Sequence, residues 1–376
     1  MLLLNPGYAY DRSLLTGISR YSQLHGPWIF VRESPYWEKE PRNMRELLTR
    51  VNGIILIESP LIKDVRKLRI PCVVSNYLSE SISGIPNIVS DHRAMGAMAA
   101  HHLLERGFRQ FAFCGYPGLF WSDQRQEGFE RVVQQAGGLV DHYLPPPAGG
   151  GLTREKEQRS LEVWLKALPK PVGLMACIDE RGQQVAEACK AVSLSIPDKV
   201  AIIGVNNDEL VCTLSNIPTS SVAISSEQGG FEAAACLHRL MLGHRPTSGK
   251  ILIHPTHVVA RLSTDVIAIS DPHVAHAVRF IQSACKKPLY VDEVSKAVGL
   301  SRRVLEKRFR ASLNRTIHEQ IRKSRISVIT NMLIDSAMSV SEIAFATGFA
   351  DTKHIARYFR AETGVSLAEY RRQNHS

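Results

Sequence analysis

Ser339-Val340-Ser341-Glu342-Ile343-Ala344-Phe345-Ala346-Thr347-Gly348-Phe349, followed by Asp351 to Thr363 and then Gly364, reads as helix, tight turn and second helix. Ser339 or Ser341 can cap the first helix, and Ile343 and Ala344 supply its buried face. Gly348 permits a positive-φ turn at its end. Ala344 lies four residues before Gly348, where a small side chain lets two helices cross closely. Asp351 is the N-cap candidate of the second helix, which buries Ile355 and Phe359 four residues apart. Thr352, Lys353, His354, Arg357 and Arg360 fall on its free side. A basic free face presented by a short turn suits the major groove of DNA.

The pattern occurs once before, fifty residues upstream. Val291 to Gly299 gives a first helix and turn, with Ser295 in the small-residue position. Ser301 is placed to cap a second helix that buries Leu305 and Phe309 and exposes Arg302, Arg303, Glu306, Lys307 and Arg310. Leu305 and Phe309 correspond to Ile355 and Phe359, so the repeat is in register, as expected of a repeated structural unit. A single helix–turn–helix pattern is weak, because many enzymes contain two helices joined by a glycine turn. Two in register, both with basic free faces, are not explained that way.

On these residues the C-terminal part resembles the AraC/XylS family of transcription regulators. The matching positions are Ile343-Ala344, Gly348-Phe349, Phe359, Gly364 and Tyr370-Arg371. The resemblance implies an all-α domain of two helix-turn-helix units joined by one long helix. Thr316 to about Ser336 would be that helix, with Ile317, Ile321, Ile326, Ile329, Met332 and Leu333 as its apolar positions. Two departures stand out: Leu367 replaces the family's usual proline, and Ile355 its usual aromatic residue. Neither lies on the expected DNA face, so both are read as packing variation.

Charge follows the same division. From Ser270 onward there are 18 Lys and Arg against 10 Asp and Glu, which accounts for +8 of the net +10. Phosphate neutralisation explains that concentration economically. The chain of 376 residues, 44% apolar, is long enough for two or three domains with sizeable cores. No run of about twenty apolar residues predicts a membrane span. Met1 to Leu4 is too short for a signal-peptide core, so a cytoplasmic protein is expected. The seven cysteines are far apart with no Cys-x-x-Cys pair, which favours buried thiols. The fourteen histidines show no metal-ligand spacing, and no metal or cofactor is expected.

Residues 1–268 alternate short apolar runs with amphipathic stretches. The strand candidates are 2–4, 28–32, 53–57, 72–75, 87–90, 110–114, 173–178, 200–205 and 220–223. Helical patterns lie between them at 11–24, 93–106, 125–136, 155–167 and 182–192. Such alternation predicts parallel sheets covered on both faces, and nine strands are better housed in two sheets than in one. Ligands then sit outside the carboxyl ends of the strands.

Asp91, Gly96, His102-Leu103 and Gly107 resemble a pattern of LacI/GalR effector domains, which share the fold of periplasmic sugar-binding proteins. Arg125-x-x-Gly128-Phe129 resembles the arginine motif of their second lobe, and Ile203 to Asn207 the loop that carries an acidic pair. Cys177-Ile178-Asp179 matches the preceding strand end. The resemblance implies a two-lobed α/β, periplasmic-binding-protein-like effector domain at 1–268, followed by the double helix-turn-helix domain at 269–376. It implies effector contacts from Asp11, Trp121, Arg125, Asp179 and Asn206. Capping alone would also justify Asp11, Asp91, Asp179 and Asn206, and Trp121 could be a core aromatic. Asn206 replaces the family's usual acidic residue, which points to a different sugar or epimer. The order of the two domains, with Tyr10-Asp11-Arg12 and Leu305 to Phe309, resembles the XylR-type family of xylose-operon activators over essentially the whole chain.

The expected function is a sequence-specific DNA-binding regulator of a sugar operon, gated by a small carbohydrate such as D-xylose. It would act as a homodimer and, if an activator, through RNA polymerase. The competing reading is a cytoplasmic carbohydrate-binding or carbohydrate-converting protein of the same two-lobed fold. An enzyme is disfavoured because no G-x-x-x-x-G-K-[ST], G-x-S-x-G or H-E-x-x-H motif occurs. Gly149-Gly150-Gly151, close after three prolines, reads as a surface loop.

Overall fold

The computed structural model describes residues 1–31, 48–79, 81–146, 153–244, 249–265, 269, 271–336 and 338–374. The glycine run at 149–151 and the expected domain boundary at 268/269 touch residues outside this set. The first lobe begins with β1 (Leu2–Leu3), α1 (Ala9–His25), β2 (Ile54–Ile57), α2 (Ile62–Lys67), β3 (Cys72–Ser75) and β4 (Asn87–Ser90). The chain then crosses to the second lobe through α3 (His92–Glu105), β5 (Gln110–Cys114), α4 (Phe120–Gln135), β6 (Val140–His142) and α5 (Arg154–Ala167). There it continues with β7 (Val172–Ala176), α6 (Asp179–Ala191), β8 (Val200–Val205), α7 (Glu209–Leu214) and β9 (Ser220–Ile224). It returns to the first lobe for α8 (Ser226–Met241) and β10 (Lys250–Ile253), then crosses back as β11 (Pro255–Val259) and a 3₁₀ turn at Leu262–Thr264.

Two sheets result, in the orders β1-β2-β3-β4-β10 and β11-β9-β8-β7-β5-β6. All pairings are parallel except β11 against β9. The three connections between lobes hold one another: Asp91 N–H donates to the Ile253 carbonyl at 2.8 Å, and Ser225 N–H to that of His254 at 3.0 Å. Asp91 also caps α3, its Oδ1 accepting from Ala94 N at 2.9 Å. In this respect Asp91 is the cap that its sequence position allows.

Two helix pairs cross at glycines. A Cβ on Gly96 of α3 would stand 2.0 Å from the Arg125 carbonyl oxygen, and one on Gly128 of α4 2.0 Å from that of Arg93. Gly17 of α1 and Gly230 of α8 stand equally close to Glu227 and Leu14. Backbones so close leave no room for a side chain, and the crossing angle is fixed by contact.

The helical domain contains α9 (Pro272–Ala284), α10 (Val291–Val298), α11 (Arg302–Leu313), α12 (Ile317–Asp335), α13 (Val340–Ala346), α14 (Thr352–Thr363) and α15 (Leu367–Asn374). Helix α12 is the expected connector, capped by Thr316 in a box with Glu319. Its first half, through Ile317 and Ile321, joins Val278, Val294, Leu305 and Phe309 in one core. Its second half, through Ile329 and Leu333, joins Ile343, Ala344, Ile355, Phe359 and Leu367 in another. Ile355 and Leu367 are thus core residues. Ser339 caps α13 in a box with Glu342, and Asp351 caps α14. Ser301 occupies the N-cap position of α11 without a side-chain capping bond.

Several expectations are corrected. Residues 28–31 form no strand, and Arg32 lies outside the described residues. Trp28 instead packs its ring tilted against Tyr21 and edge-on to His238, each 5.7 Å away between ring centroids. Strands β6, β10 and β11 and helices α2, α7, α8 and α9 were absent from the sequence pattern. Gly128→Ala is expected to lower stability by about 1–3 kcal/mol through overpacking. Urea unfolding measures this, and an unshifted midpoint would contradict the close crossing.

Candidate functional site

A cavity of about 510 Å³ lies between the lobes. The first lobe contributes Tyr8, Tyr10, Asn76, Tyr77 and Ser90; the second contributes Tyr116, Trp121, Arg125, Glu180 and Asn206. His92 lies at the crossover between them. Most of these residues stand at or just beyond carboxyl ends of strands, as expected for this class of sheet.

Arg125 is buried on α4. Its Nη1 donates to the Cys177 carbonyl at 2.5 Å and its Nη2 approaches Asn206 Oδ1 at 3.4 Å. Its Nε is buried without a protein partner, and so is His92 Nδ1. Burial pushes the guanidinium down to about 10, and pushes the His92 imidazole well below its ordinary value, with the charge of Arg125 adding to the effect. A charged fork and a neutral imidazole therefore border the cavity, each with hydrogen-bonding capacity left over. The Arg125 guanidinium carbon lies 5.3 Å from the Trp121 ring centroid. Tyr10 and Tyr77 meet edge to face at 5.7 Å. Apolar ring faces beside unsatisfied polar groups suit a ligand with both C–H surface and hydroxyls.

The Asp11 and Asp179 carboxylates do not line this cavity. Asp11 accepts from Asn5 N at 2.8 Å and from the Tyr77 hydroxyl at 2.9 Å. Asp179 accepts from Asp208 N at 2.7 Å and from Ser221 Oγ at 2.6 Å. The latter pair braces the 206–208 loop, in which Asn206 (φ 105°) and Asn207 (φ 51°) take left-handed backbone. In the same loop Asp208 pairs with Arg12 of the first lobe at 2.5 Å, a latch across the cleft. The structure therefore brings Trp121, Arg125 and Asn206 to the cavity and places Asp11 and Asp179 behind it.

In the helical domain Arg302, Arg303, Glu306, Lys307 and Arg310 lie on the exposed face of α11. Thr352, Lys353, Arg357 and Arg360 lie on that of α14. Arg302 is engaged by Glu306 at 2.9 Å and by Asp292 at 3.5 Å.

Residues 100–264 match the model of a periplasmic binding protein-like domain, and residues 294–373 that of a helix-turn-helix domain. The chain is 31% identical to the xylose operon regulatory protein of Escherichia coli, over 99% of this chain and 96% of that one. The chain belongs to the xylose operon regulator family. The corresponding protein of Haemophilus influenzae is also 31% identical, over 98% of this chain and 97% of its own. A solved structure of the xylose-binding transcription activator XylR superposes with a TM-score of 0.62 at 29% identity, covering 100% of this chain and 98% of that one. As a member of this family the chain is a transcription regulator with a DNA-binding helix-turn-helix domain. These relatives are regulators and not enzymes. No helix among the described residues is long and apolar enough to cross a membrane. No cluster of potential metal ligands occurs among them either.

The cavity residues Tyr8, Asn76, Tyr77, Ser90, His92, Tyr116 and Glu180 are not among the sequence-predicted contacts, and Tyr10 entered only through the Tyr10-Asp11-Arg12 match. Asn76-Tyr77 and Tyr116 closely follow β3 and β5, so the strand-end rule could have flagged them. Burial pushes the Asp179 carboxyl up to about 7 from an ordinary 3.8, against the opposing bonds from Ser221 and Asp208. The fold holds that proton more tightly than the unfolded chain does. The contribution to stability is complete below pH 3.8 and is lost as pH rises through about 7. The urea midpoint of the parent, relative to Asp179→Asn, is expected to be higher at about pH 5 than at about pH 8. Parallel pH trends in the two proteins would contradict the buried, proton-holding carboxyl.

Proposed function

We propose that this regulator is gated by a small carbohydrate, with D-xylose or a similar pentose as effector, bound in the cavity between the lobes. The observation that carries the reading is the buried Arg125. Its Nε and the His92 Nδ1 are buried without a protein partner, in two residues that line a cavity walled by Tyr10, Tyr77, Tyr116 and Trp121. Sugar hydroxyls both donate and accept, so a guanidinium, an amide and an imidazole satisfy them together. The relatives named for a xylose operon and the structural neighbour named as xylose-binding support the same sugar class. Asp11 and Asp179 act in this reading as braces that set Tyr77 and the Asn206 loop.

Effector binding favours whichever lobe arrangement it grips more tightly. The units divide at 268/269, and a cytoplasmic homodimer presents two of the helical domains to DNA. The protein acts as an activator that works with RNA polymerase. Within each helical domain α11 and α14 enter major-groove segments about one turn, or roughly 10 base pairs, apart. Arg303, Lys307, Arg310, Lys353, Arg357 and Arg360 contact bases or phosphates, with the arginines as guanine readers. Arg302, Glu306 and Thr352 complete the two faces, and Glu306 orients Arg302.

Isothermal calorimetry against pentoses and hexoses is expected to give binding of one pentose that Arg125→Ala abolishes. Equal binding by parent and variant would remove the cavity assignment. Arg303→Ala and Arg357→Ala should each weaken specific DNA binding by about 1–3 kcal/mol where the residue reads a base. Unchanged affinity and footprints in both variants would contradict the recognition faces.

A further inference from the structure

The C-terminal end of α3 meets the C-terminal end of α11, and an arginine from each side crosses to the other helix. Arg315, just beyond α11, donates from Nη2 to the carbonyl of Glu105, the last residue of α3, at 2.8 Å. Arg109, just beyond α3, donates from Nη2 to the carbonyl of Ser312 in the last turn of α11. The last carbonyls of a helix lack intrahelical partners and carry its negative dipole end, so a guanidinium there satisfies both. The two caps are reciprocal.

Other contacts surround them. Lys323 Nζ of α12 lies 3.3 Å from Glu105 Oε1, and the Tyr370 hydroxyl donates to the Thr256 carbonyl at 3.1 Å. Arg106 Nε donates to the Thr264 carbonyl at 2.8 Å, and His102 Nε2 meets Thr264 Oγ1 at 2.9 Å. These hold the 3₁₀ turn that leads into the helical domain. Glu105, Arg109, Thr256 and Thr264 all belong to second-lobe elements. At its other end α3 begins with His92 at the effector cavity, and Gly96 locks it against α4, which carries Arg125.

We propose that the second lobe and the helical domain form one body, joined by the reciprocal Arg109 and Arg315 caps. Movement of that lobe relative to the first, around an effector, then re-aims α11 directly. Arg109 and Arg315 are positioning residues: neither lines the effector cavity, and each is engaged by the other helix's last carbonyls. The inference rests on the effector reading above only for its coupling, and the joint itself is independent of any ligand.

The test begins with time-resolved fluorescence anisotropy of a dye at Lys296→Cys, an exposed site on α10, in the full chain. The parent is expected to tumble as one body. The Arg109→Ala/Arg315→Ala variant should add a fast component, and Arg109→Lys/Arg315→Lys, which keeps the charges, should largely suppress it. A folded double-alanine variant that tumbles as the parent does overturns the joint, and so does a parent that already shows the fast component. The same proteins are then titrated with D-xylose, with and without a duplex selected from random DNA by the parent. The parent should show a change in sugar affinity of about 5–150-fold on DNA, the usual range of coupling between sites, and the double-alanine variant a ratio near one with both ligands still bound. An unchanged ratio in the variant overturns the coupling. Failure of D-xylose to bind the parent would instead sink the sugar reading, while the anisotropy still decides the joint.

Discussion

The close crossing of α3 and α4 is the constraint on which the rest of the molecule depends. Gly96 and Gly128 bring two backbones into direct contact, so the helices hold a fixed angle. One of them delivers Arg125 and Trp121 to the cavity. The other starts at the cavity with His92 and ends at Glu105, against the helical domain. A side chain at either glycine would separate the groups that face a ligand and tilt the end that faces the DNA-binding units. The matching crossing of α1 and α8 at Gly17 and Gly230 gives the first lobe comparable rigidity. Two stiff lobes joined by three hydrogen-bonded connections are suited to hinge as bodies.

Electrostatics in the cleft follow from burial. Asp11 and Asp179 are too deeply placed to remain unsatisfied, and each is bonded on both oxygens by protein groups. Such carboxylates shape a site without entering it. Arg125 is buried as well, but its guanidinium has five donors and the protein leaves Nε unpaired. An unmet donor beside aromatic walls is costly unless something else meets it. Around the cleft, the Arg12–Asp208 pair joins the lobes at the loop that also holds Asn206.

The helical domain was legible because its signals are local. Caps such as Ser339 and Asp351, the turn at Gly348 and the four-residue spacing of Ile355 and Phe359 all act within a few residues. The α/β part was legible where strands are wholly buried, as in Val200–Val205. It failed where an element looks like its opposite. Helix α8 contains Gly229-Gly230, which reads as a turn until the backbone of Leu14 is placed against it. Strand β10 alternates exposed and buried residues from Lys250 to Ile253, and β11 opens on a proline. In the site, Arg125, Trp121 and Asn206 stood in motifs. The roles of Asp11 and Asp179 depended on Tyr77 and Ser221, 66 and 42 residues away, and no local pattern carries such pairings.

The most direct test of the cavity as effector site is a crystal structure of the full chain grown with D-xylose. Sugar density is expected between Trp121, Arg125 and Asn206, within hydrogen-bonding distance of the Arg125 guanidinium and the His92 imidazole, with Asp11 still bonded to Tyr77 and Asp179 to Ser221. Density resting on the Asp11 and Asp179 carboxylates, with Tyr77 and Ser221 turned away, would contradict this placement, as would sugar bound outside the cleft.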